Sequence, residues 1–161
     1  MIIRKKLSVL IAILFLSLTS PLCAENAPPP ATVQPLETGC IKIQVTGLKN
    51  TTGLIGVALY SSKQGFPDTP AKAFATRVRK ISETTEEFAF DSIPFGSYAL
   101  SVLHDENSNG RMDKLPILGI PKEGFGVSNN PKIRRGPPTF SESIFILGAS
   151  EIDLSIKMNY L

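Results

Sequence analysis

Alternation of apolar and polar side chains begins at Cys40 and constrains the fold more than any other feature of the sequence. Ile41, Ile43 and Val45 alternate with polar residues, and a period of two places every second side chain on the same face of a β-strand. Such a strand has one apolar face, which a second layer of structure must cover. The alternation therefore predicts a β-sheet fold with at least two packed layers.

Similar segments recur along the rest of the chain, separated by turns rich in Gly, Pro, Asn and Asp. The predicted strands cover residues 40–46, 54–60, 74–81, 88–90, 98–103, 143–147 and 151–160. We expect the last two to form a hairpin across residues 148–150. No segment has a convincing helical pattern, and residues 104–141 show no strand alternation. We therefore predict an all-β protein, a single antiparallel β-sandwich of about seven strands, with one long loop before the last two strands.

The amino-terminal region has the organisation of an export signal. Three basic residues among the first six precede an apolar stretch, residues 7–18, and Ala24 is a small residue suited to cleavage. The apolar stretch is too short for a membrane anchor, which needs ~20 residues. Residues 25–39 are rich in proline and predict a disordered leader. The chain thus divides into a signal peptide (1–24), this leader and a β-sandwich domain (40–161), with an expected periplasmic or secreted location.

The two cysteines, Cys23 and Cys40, bear on anchoring and on disulfides. In an alternative to cleavage after Ala24, an acylated Cys23 would anchor a lipoprotein. The bulky Leu22 before it disfavours that processing, which prefers small residues. With Cys23 removed, no disulfide can form within the mature chain. Because Cys40 opens an apolar strand, we expect a buried and unreactive thiol.

The net charge gives no indication of a polyanionic partner. The sequence has 17 basic and 14 acidic residues, and three of the basic residues lie in the signal peptide. The mature chain therefore carries equal numbers of both and is formally neutral. We expect neither a nucleic-acid partner nor a transmembrane segment in the mature chain.

Residues 105–113 match the first three quarters of a calcium-binding loop. Three oxygen-bearing side chains alternate along the loop, a glycine permits a sharp turn, and a carboxylate occupies the ninth position. The candidate ligands are the side chains of Asp105, Asn107, Asn109 and Asp113, with the carbonyl of Arg111. Such oxygen donors favour Ca²⁺ or Mg²⁺ over zinc. Two carboxylates predict weak calcium binding, on the order of 10⁻⁴–10⁻³ M.

The twelfth position of this loop departs from the EF-hand pattern. It holds Pro116 instead of a bidentate glutamate, and no helices are evident on either side. Glu106 and Glu123 are two alternative sources of the missing carboxylate. Without a metal, the same residues predict an Asx-rich turn whose side chains hydrogen-bond to their own backbone.

The remainder of the long loop has two interpretations. It could be an Ω-like loop, packed by Ile117, Ile120 and Phe125, that covers an open end of the sandwich. Alternatively, it could form a ligand site, because loops of this length within a compact domain are often functional. Both interpretations stay open at the level of the sequence.

Evidence for catalysis is weak. The single histidine, His104, excludes a histidine-rich zinc site and the His-Glu-x-x-His motif. The alternative function is a small hydrolase-type enzyme that uses His104 with Glu123 or Ser128, but Ser128 lacks a nucleophile-elbow motif. Asp105 follows His104 on a strand and so points to the opposite face. We predict no catalytic residues, and a hydrogen-bonded His104 at the rim of the core.

Several blocks of sequence, in order, carry a family resemblance. They include VTGLKN (45–50), GLIGVALY (53–60), PFGSYAL (94–100), HDENSNGRMD (104–113), GIPKEGFG (119–126) and SNNP (128–131). These blocks resemble the domain-of-unknown-function family 2141 of small exported bacterial proteins. The resemblance implies a periplasmic or secreted β-sandwich and supplies no catalytic or ligand residues. The turn at residues 94–98 is also similar to that of transthyretin-like domains, which suggests an immunoglobulin-like or transthyretin-like sandwich without assigning a function.

These observations predict an exported, non-enzymatic β-sandwich protein. We expect a binding or structural module of the cell envelope, with weakly bound calcium as its only cofactor. Its expected partner is a cell-envelope protein or a carbohydrate, contacted by the long loop.

Overall fold

The computed structural model describes residues 37–134 and 136–161. The signal peptide assigned to residues 1–24, and all but the end of the proline-rich leader, lie outside these residues. Helical structure in the described ranges comprises a 3₁₀ turn at Pro70–Lys72 and a single α-helical turn, α1, at Phe140–Ser143. No helix there is long and apolar enough to cross a membrane.

Strands account for most of the described structure. They are β1 (Thr38–Thr46), β2 (Leu54–Tyr60), β3 (Ala75–Lys80), β4 (Glu86–Pro94), β5 (Gly96–Asp105), β6 (Gly124–Val127), β7 (Phe145–Leu147) and β8 (Glu151–Lys157). Seven of the eight overlap the predicted segments. β6 is the exception, because it lies within the stretch where no strand was predicted.

The strands form two sheets that share one core. One sheet has the order β4-β1-β8, and the other has the order β3-β2-β5-β6. β7 pairs with the first residues of β5, so β6 and β7 occupy successive parts of the same edge of β5. The predicted all-β sandwich is thus confirmed.

The core lies between the two sheets and follows the period-two pattern. The strands β1, β2, β4 and β5 contribute alternate side chains to it, and most residues between them face outward. The buried side chains include Ile41, Ile43 and Val45 of β1, Ile55, Val57 and Leu59 of β2, Phe88 and Phe90 of β4, and Tyr98, Leu100 and Val102 of β5. The predicted inner face of β5 is therefore confirmed.

The pairing of the last two strands differs from the prediction. β8 lies beside β1 in a parallel arrangement, and β7 pairs with β5 in the other sheet. The predicted hairpin across residues 148–150 is therefore wrong, because these residues carry the chain from one sheet to the other. Gly39 accommodates this crossing, since a Cβ at that position would overlap the carbonyl of Ala149.

Cys40 lies on the outward side of β1, next to a bulge in the pairing with β4. Its side chain is only partly buried, so the predicted burial is wrong. Desolvation and the neighbouring Asp91 carboxylate nevertheless raise the pKa of the thiol. A raised pKa keeps the thiol protonated and slows its reactions.

β6 was not predicted because two of its four residues are glycines, which give no alternation of apolar and polar side chains. A Cβ at Gly124 would overlap the ring of Tyr160, and one at Gly126 would overlap Ile156. Glycine therefore allows the end of the chain to cross close to β6. Phe125 and Asn159 form two reciprocal backbone hydrogen bonds across this contact, each N–H donating to the other residue's carbonyl.

Candidate functional site

Asp105 is the last residue of β5 and forms the base of the candidate cation loop. It is only 3 % exposed. Its Oδ1 accepts the N–H of Asn109 at 3.0 Å, and its Oδ2 accepts the N–H of Gly110 at 2.7 Å. Gly110 has a φ of 78°, a left-handed conformation that glycine adopts without strain. The carboxylate therefore fixes the turn that the sequence pattern predicted.

The remaining side chains of the loop converge on Asp113. The amide nitrogens of Asn107 and Asn109 donate to Asp113 Oδ2 at 2.7 and 3.0 Å. Their Oδ1 atoms accept the backbone N–H groups of Asn109 and Arg111. The Arg111 side chain points outward, with its Nε 3.8 Å from Asp113 Oδ1. The structure thus gathers the four predicted side-chain ligands into one hydrogen-bonded loop.

This hydrogen-bonding pattern is that of an Asx-rich turn. The carboxamides of Asn107 and Asn109 direct nitrogen, rather than oxygen, towards Asp113. In the described ranges no three His, Cys, Asp or Glu side chains lie close enough together to hold a metal ion. To coordinate a cation, the two carboxamides would have to turn their oxygens inward.

Glu123 adds a carboxylate next to this loop. It is only 4 % exposed, and its Oε2 accepts the N–H of Asp113 at 2.9 Å. Its Oε1 is buried and has no hydrogen-bond partner, which is unusual for a buried polar atom. Glu106, the other candidate for the missing carboxylate, accepts the side-chain amide of Asn50 at 2.7 Å. Of these two carboxylates, Glu123 is the one with a buried oxygen that lacks a partner.

His104 is fully buried, and both of its ring nitrogens are engaged. Nε2 lies 2.9 Å from the carbonyl of Thr52, which can only accept, so Nε2 carries the proton. Nδ1 then accepts the hydroxyl of Tyr160 at 2.7 Å, and that hydroxyl accepts the N–H of Lys49. Burial raises the pKa of Tyr160, so its hydroxyl remains a donor. The prediction of a hydrogen-bonded core histidine is confirmed.

Ser128 lies too far from His104 to act with it. The Ser128 hydroxyl accepts the N–H of Leu100 at 2.9 Å and donates to the carbonyl of Ser143 at 2.5 Å. Leu100 and His104 are four residues apart on β5, which corresponds to roughly 13 Å. The His104–Ser128 pair of the hydrolase alternative is therefore not brought together. Glu123 lies next to Gly124, which pairs with His104, but both ring nitrogens of His104 are engaged by Tyr160 and Thr52.

The tip of the long loop does not pack as the Ω-loop interpretation predicted. Ile117 is fully exposed, and Ile120 is partly exposed. Phe125, the third residue of that prediction, belongs to β6. Lys114 holds the tip to the loop before β3 through an ion pair with Asp68 at 2.6 Å. The long loop lies beside the outer face of the five-stranded sheet, not over an end of the sandwich.

A groove of about 840 Å³ separates this loop from the outer face of the sheet. One row of its floor is formed by residues that pair across neighbouring strands, Val78, Gly56, Leu103 and Phe125. The adjacent row is formed in the same way by Thr76, Ala58, Ser101 and Val127. The small side chains of the two central strands create the depth of the groove.

Two structural features near the candidate site were not predicted from the sequence. Gly56 and Ala58 form the groove floor, and their spacing by two in a fully apolar strand was the available signal. Asn129 and Asn130, both with positive φ, connect the loop to its surroundings. Asn129 donates to the carbonyl of Ile144 at 2.7 Å. Asn130 donates to the carbonyl of Ser155 and accepts the N–H of Lys157, both at 2.8 Å.

The geometry defines a class of protein, a two-sheet β-sandwich with a capped polar loop and an apolar groove on its larger sheet. The family model described as an uncharacterized protein conserved in bacteria, DUF2141, matches residues 43–155. The chain belongs to this family, as the sequence blocks predicted. Neither a curated protein nor a solved structure matches the chain.

Proposed function

We propose that the protein is an exported binding module of the cell envelope whose loop at residues 105–113 is stabilised by a calcium ion. The ligands would be the side chains of Asp105, Asn107, Asn109 and Asp113, and the Arg111 carbonyl. These are hard oxygen donors at the spacing of a calcium loop. A bound cation would hold the long loop in one conformation against the five-stranded sheet.

The buried carboxylate of Glu123 is the observation that carries this proposal. The Oε1 of Glu123 has no hydrogen-bond partner, whereas its Oε2 accepts the backbone N–H of Asp113. A buried carboxylate oxygen without a donor costs about 1–3 kcal/mol or more. A cation beside Asp113 would relieve that cost, and Glu123 would replace the glutamate that an EF-hand has at its twelfth position.

Calcium should bind in preference to magnesium. The ligands come from an irregular loop and from a glutamate ten positions after Asp113, which suits the six to eight ligands and variable geometry of Ca²⁺. Mg²⁺ requires a near-ideal octahedron with shorter distances and loses its water reluctantly. The carboxamide rotations of Asn107 and Asn109 would be part of the binding step.

Calcium titration of the metal-stripped protein tests the proposal. A calcium concentration ten times the Kd should stabilise the protein by ~1.4 kcal/mol, which is roughly 3–6 °C in Tm for a domain of this size. Isothermal titration calorimetry gives the Kd directly, and magnesium at the same concentration should produce a smaller shift. Glu123→Gln should remove the calcium-dependent shift, because it keeps the side-chain shape and an oxygen acceptor but loses the charge.

Glu106→Gln is the matched control, because Glu106 lies next to the loop but is not among the side chains with a buried oxygen that lacks a partner. This variant should keep the calcium-dependent shift. An equal loss in both variants would indicate a general charge effect and contradict a site at Glu123. The absence of any calcium-dependent shift in the unmodified protein would reduce the loop to an Asx-rich turn.

Export is supported by the basic and apolar segments at the amino terminus, followed by the small residue Ala24. Mass spectrometry of the protein recovered from periplasm or medium should give an amino terminus at Glu25. A mass that includes an acylated Cys23, together with membrane fractionation, would support the lipoprotein alternative. An intact amino terminus on cytoplasmic protein would contradict export.

A further inference from the structure

One central strand of the larger sheet, β2, is apolar on both faces. β2 directs Ile55, Val57 and Leu59 into the sandwich core. Its opposite face carries Gly56 and Ala58, which line the groove. A sheet face turned towards water normally alternates to polar residues, so this second apolar face indicates a further contact.

The long loop faces this surface but leaves space between them. Leu118 and Ile120 line the groove opposite the sheet and still keep much of their surface exposed, as does Val78 on the floor. Two apolar surfaces that face each other across about 840 Å³ form a concave site in the size range of small-molecule pockets. Gly56 and Ala58 add to this space, because neither residue extends beyond a methyl group.

The charged side chains at the groove favour an anion. Arg111, Lys114 and Arg134 line it, against Asp68 and Asp105. Lys114 is paired with Asp68, and the Asp105 carboxylate is occupied by N–H groups of its own loop. Arg134 is exposed. It forms no ion pair within the described residues, although it adds to the hydrogen bonds from Thr139 that lower the pKa of Glu142. Its guanidinium is therefore available for a carboxylate, which it can bind through two hydrogen bonds.

We propose that the groove binds a single-chain fatty acid, with its alkyl chain along Gly56 and Ala58 and its carboxylate at Arg134. The proposal deepens the proposed function by naming a ligand class, and it rests on that function only in treating the domain as a binding module. A carbohydrate fits less well, because the floor offers few polar groups besides Thr76 and Ser101. The groove is also concave, whereas a protein partner usually needs a broad surface.

Calorimetric titration of the purified protein with dodecanoate, below its micellar concentration, tests the proposal. Shortening the chain should weaken binding about fourfold for each methylene that leaves the groove. Dodecyltrimethylammonium has the same alkyl chain with the opposite charge and should bind at least about tenfold more weakly. Affinity that does not depend on chain length, or that is equal for the two head groups, overturns the proposal.

Gly56→Leu fills the groove without straining the backbone. A Cβ at Gly56 meets only Val78, at 3.8 Å, an ordinary contact. The variant should weaken dodecanoate binding at least about tenfold. Gly148→Leu is the matched control, because Gly148 is equally open, with Ile146 at 3.9 Å, and does not line the groove. Equal affinity in the two variants would overturn the proposed position of the alkyl chain.

Arg134→Gln tests the position of the carboxylate. It should weaken dodecanoate binding about tenfold, whereas Lys132→Gln, which removes the same charge outside the groove lining, should not.

Ala58→Leu provides a second groove-filling variant if Gly56→Leu fails to fold. Calcium binding is measured in a separate titration. If the protein binds calcium but does not bind dodecanoate, only the fatty-acid proposal is overturned. Dodecanoate binding without any calcium effect would overturn only the cation site.

Discussion

Replacing Ser128 by alanine should destabilise the domain far more than a typical surface substitution. Ser128 is only 1 % exposed, and its hydroxyl connects β5 to α1. It accepts the N–H of Leu100 and donates to the carbonyl of Ser143. The backbone of Ser128 also donates to the carbonyl of Leu100. If β6 continued, its backbone would accept the N–H of Leu100. The Ser128 hydroxyl accepts that N–H instead, because the chain turns away at Asn129.

The magnitude follows from the groups that alanine leaves without partners. Leu100 and Ser143 are both fully buried, so solvent does not replace the hydroxyl at the N–H of Leu100 or the carbonyl of Ser143. An unsatisfied buried group costs about 1–3 kcal/mol, so we expect a total loss of about 2–4 kcal/mol. For a domain of this size the loss corresponds to a decrease in Tm of roughly 4–17 °C.

Urea denaturation followed by circular dichroism measures this effect. The midpoint should fall while the m-value stays constant, because the surface exposed on unfolding does not change. Ser155→Ala, at a more exposed position in β8, should change the stability by no more than about 0.5 kcal/mol. A loss below about 1 kcal/mol for Ser128→Ala would refute the role of the hydroxyl as a replacement for a backbone partner.

Three further outcomes are expected from the contacts described. Tyr160→Phe should lower the stability by about 1–3 kcal/mol in chemical denaturation, because it leaves His104 Nδ1 buried without a donor; an unchanged midpoint would contradict that bond. Burial raises the pKa of Glu86, but bonds from nearby backbone N–H groups, a serine hydroxyl and an arginine outweigh it and leave the pKa lowered. The carboxylate therefore stabilises the fold above its unfolded pKa, near 4.5, and this contribution is lost as the pH falls through the native pKa. Glu86→Gln should flatten the acid limb of a plot of Tm against pH, whereas an identical limb would contradict the shift. The raised pKa of Cys40 predicts slower alkylation than that of a free thiol at neutral pH, and a faster rate would contradict it.

The strands with regular alternation could be predicted from sequence because one face of each is buried. β1 and β5 show this pattern most clearly, and both were identified within two residues at each end. The pairing of β8 with β1 could not be predicted, because alternation reports which face of a strand is buried and not which strand lies beside it. The short connection at residues 148–150 has the length of a hairpin loop, yet it changes sheets.

The compact turn at residues 105–113 could be predicted from spacing alone, because alternate oxygen-bearing residues before a glycine favour such a turn. The proposed role of Glu123 needed the tertiary structure, since it lies ten positions after Asp113 and the argument for it depends on an unpaired buried oxygen. The groove could not be predicted, because its depth comes from side chains that are small. Gly56 and Ala58 read as core residues of an apolar strand, and the empty space above them leaves no pattern in a sequence.

The parallel pairing of β1 with β8 has a consequence for the timing of folding. β1 is the middle strand of its sheet, and its parallel neighbour is the last strand of the chain. A nascent or partly translocated chain lacks β8 and leaves one edge of β1 unpaired, so the native sheet cannot close on an incomplete polypeptide. Contacts between such distant segments also give slow folding. Along the proposed export route, the smaller sheet would therefore stay incomplete until β8 had crossed the membrane. The domain would finish folding only after translocation.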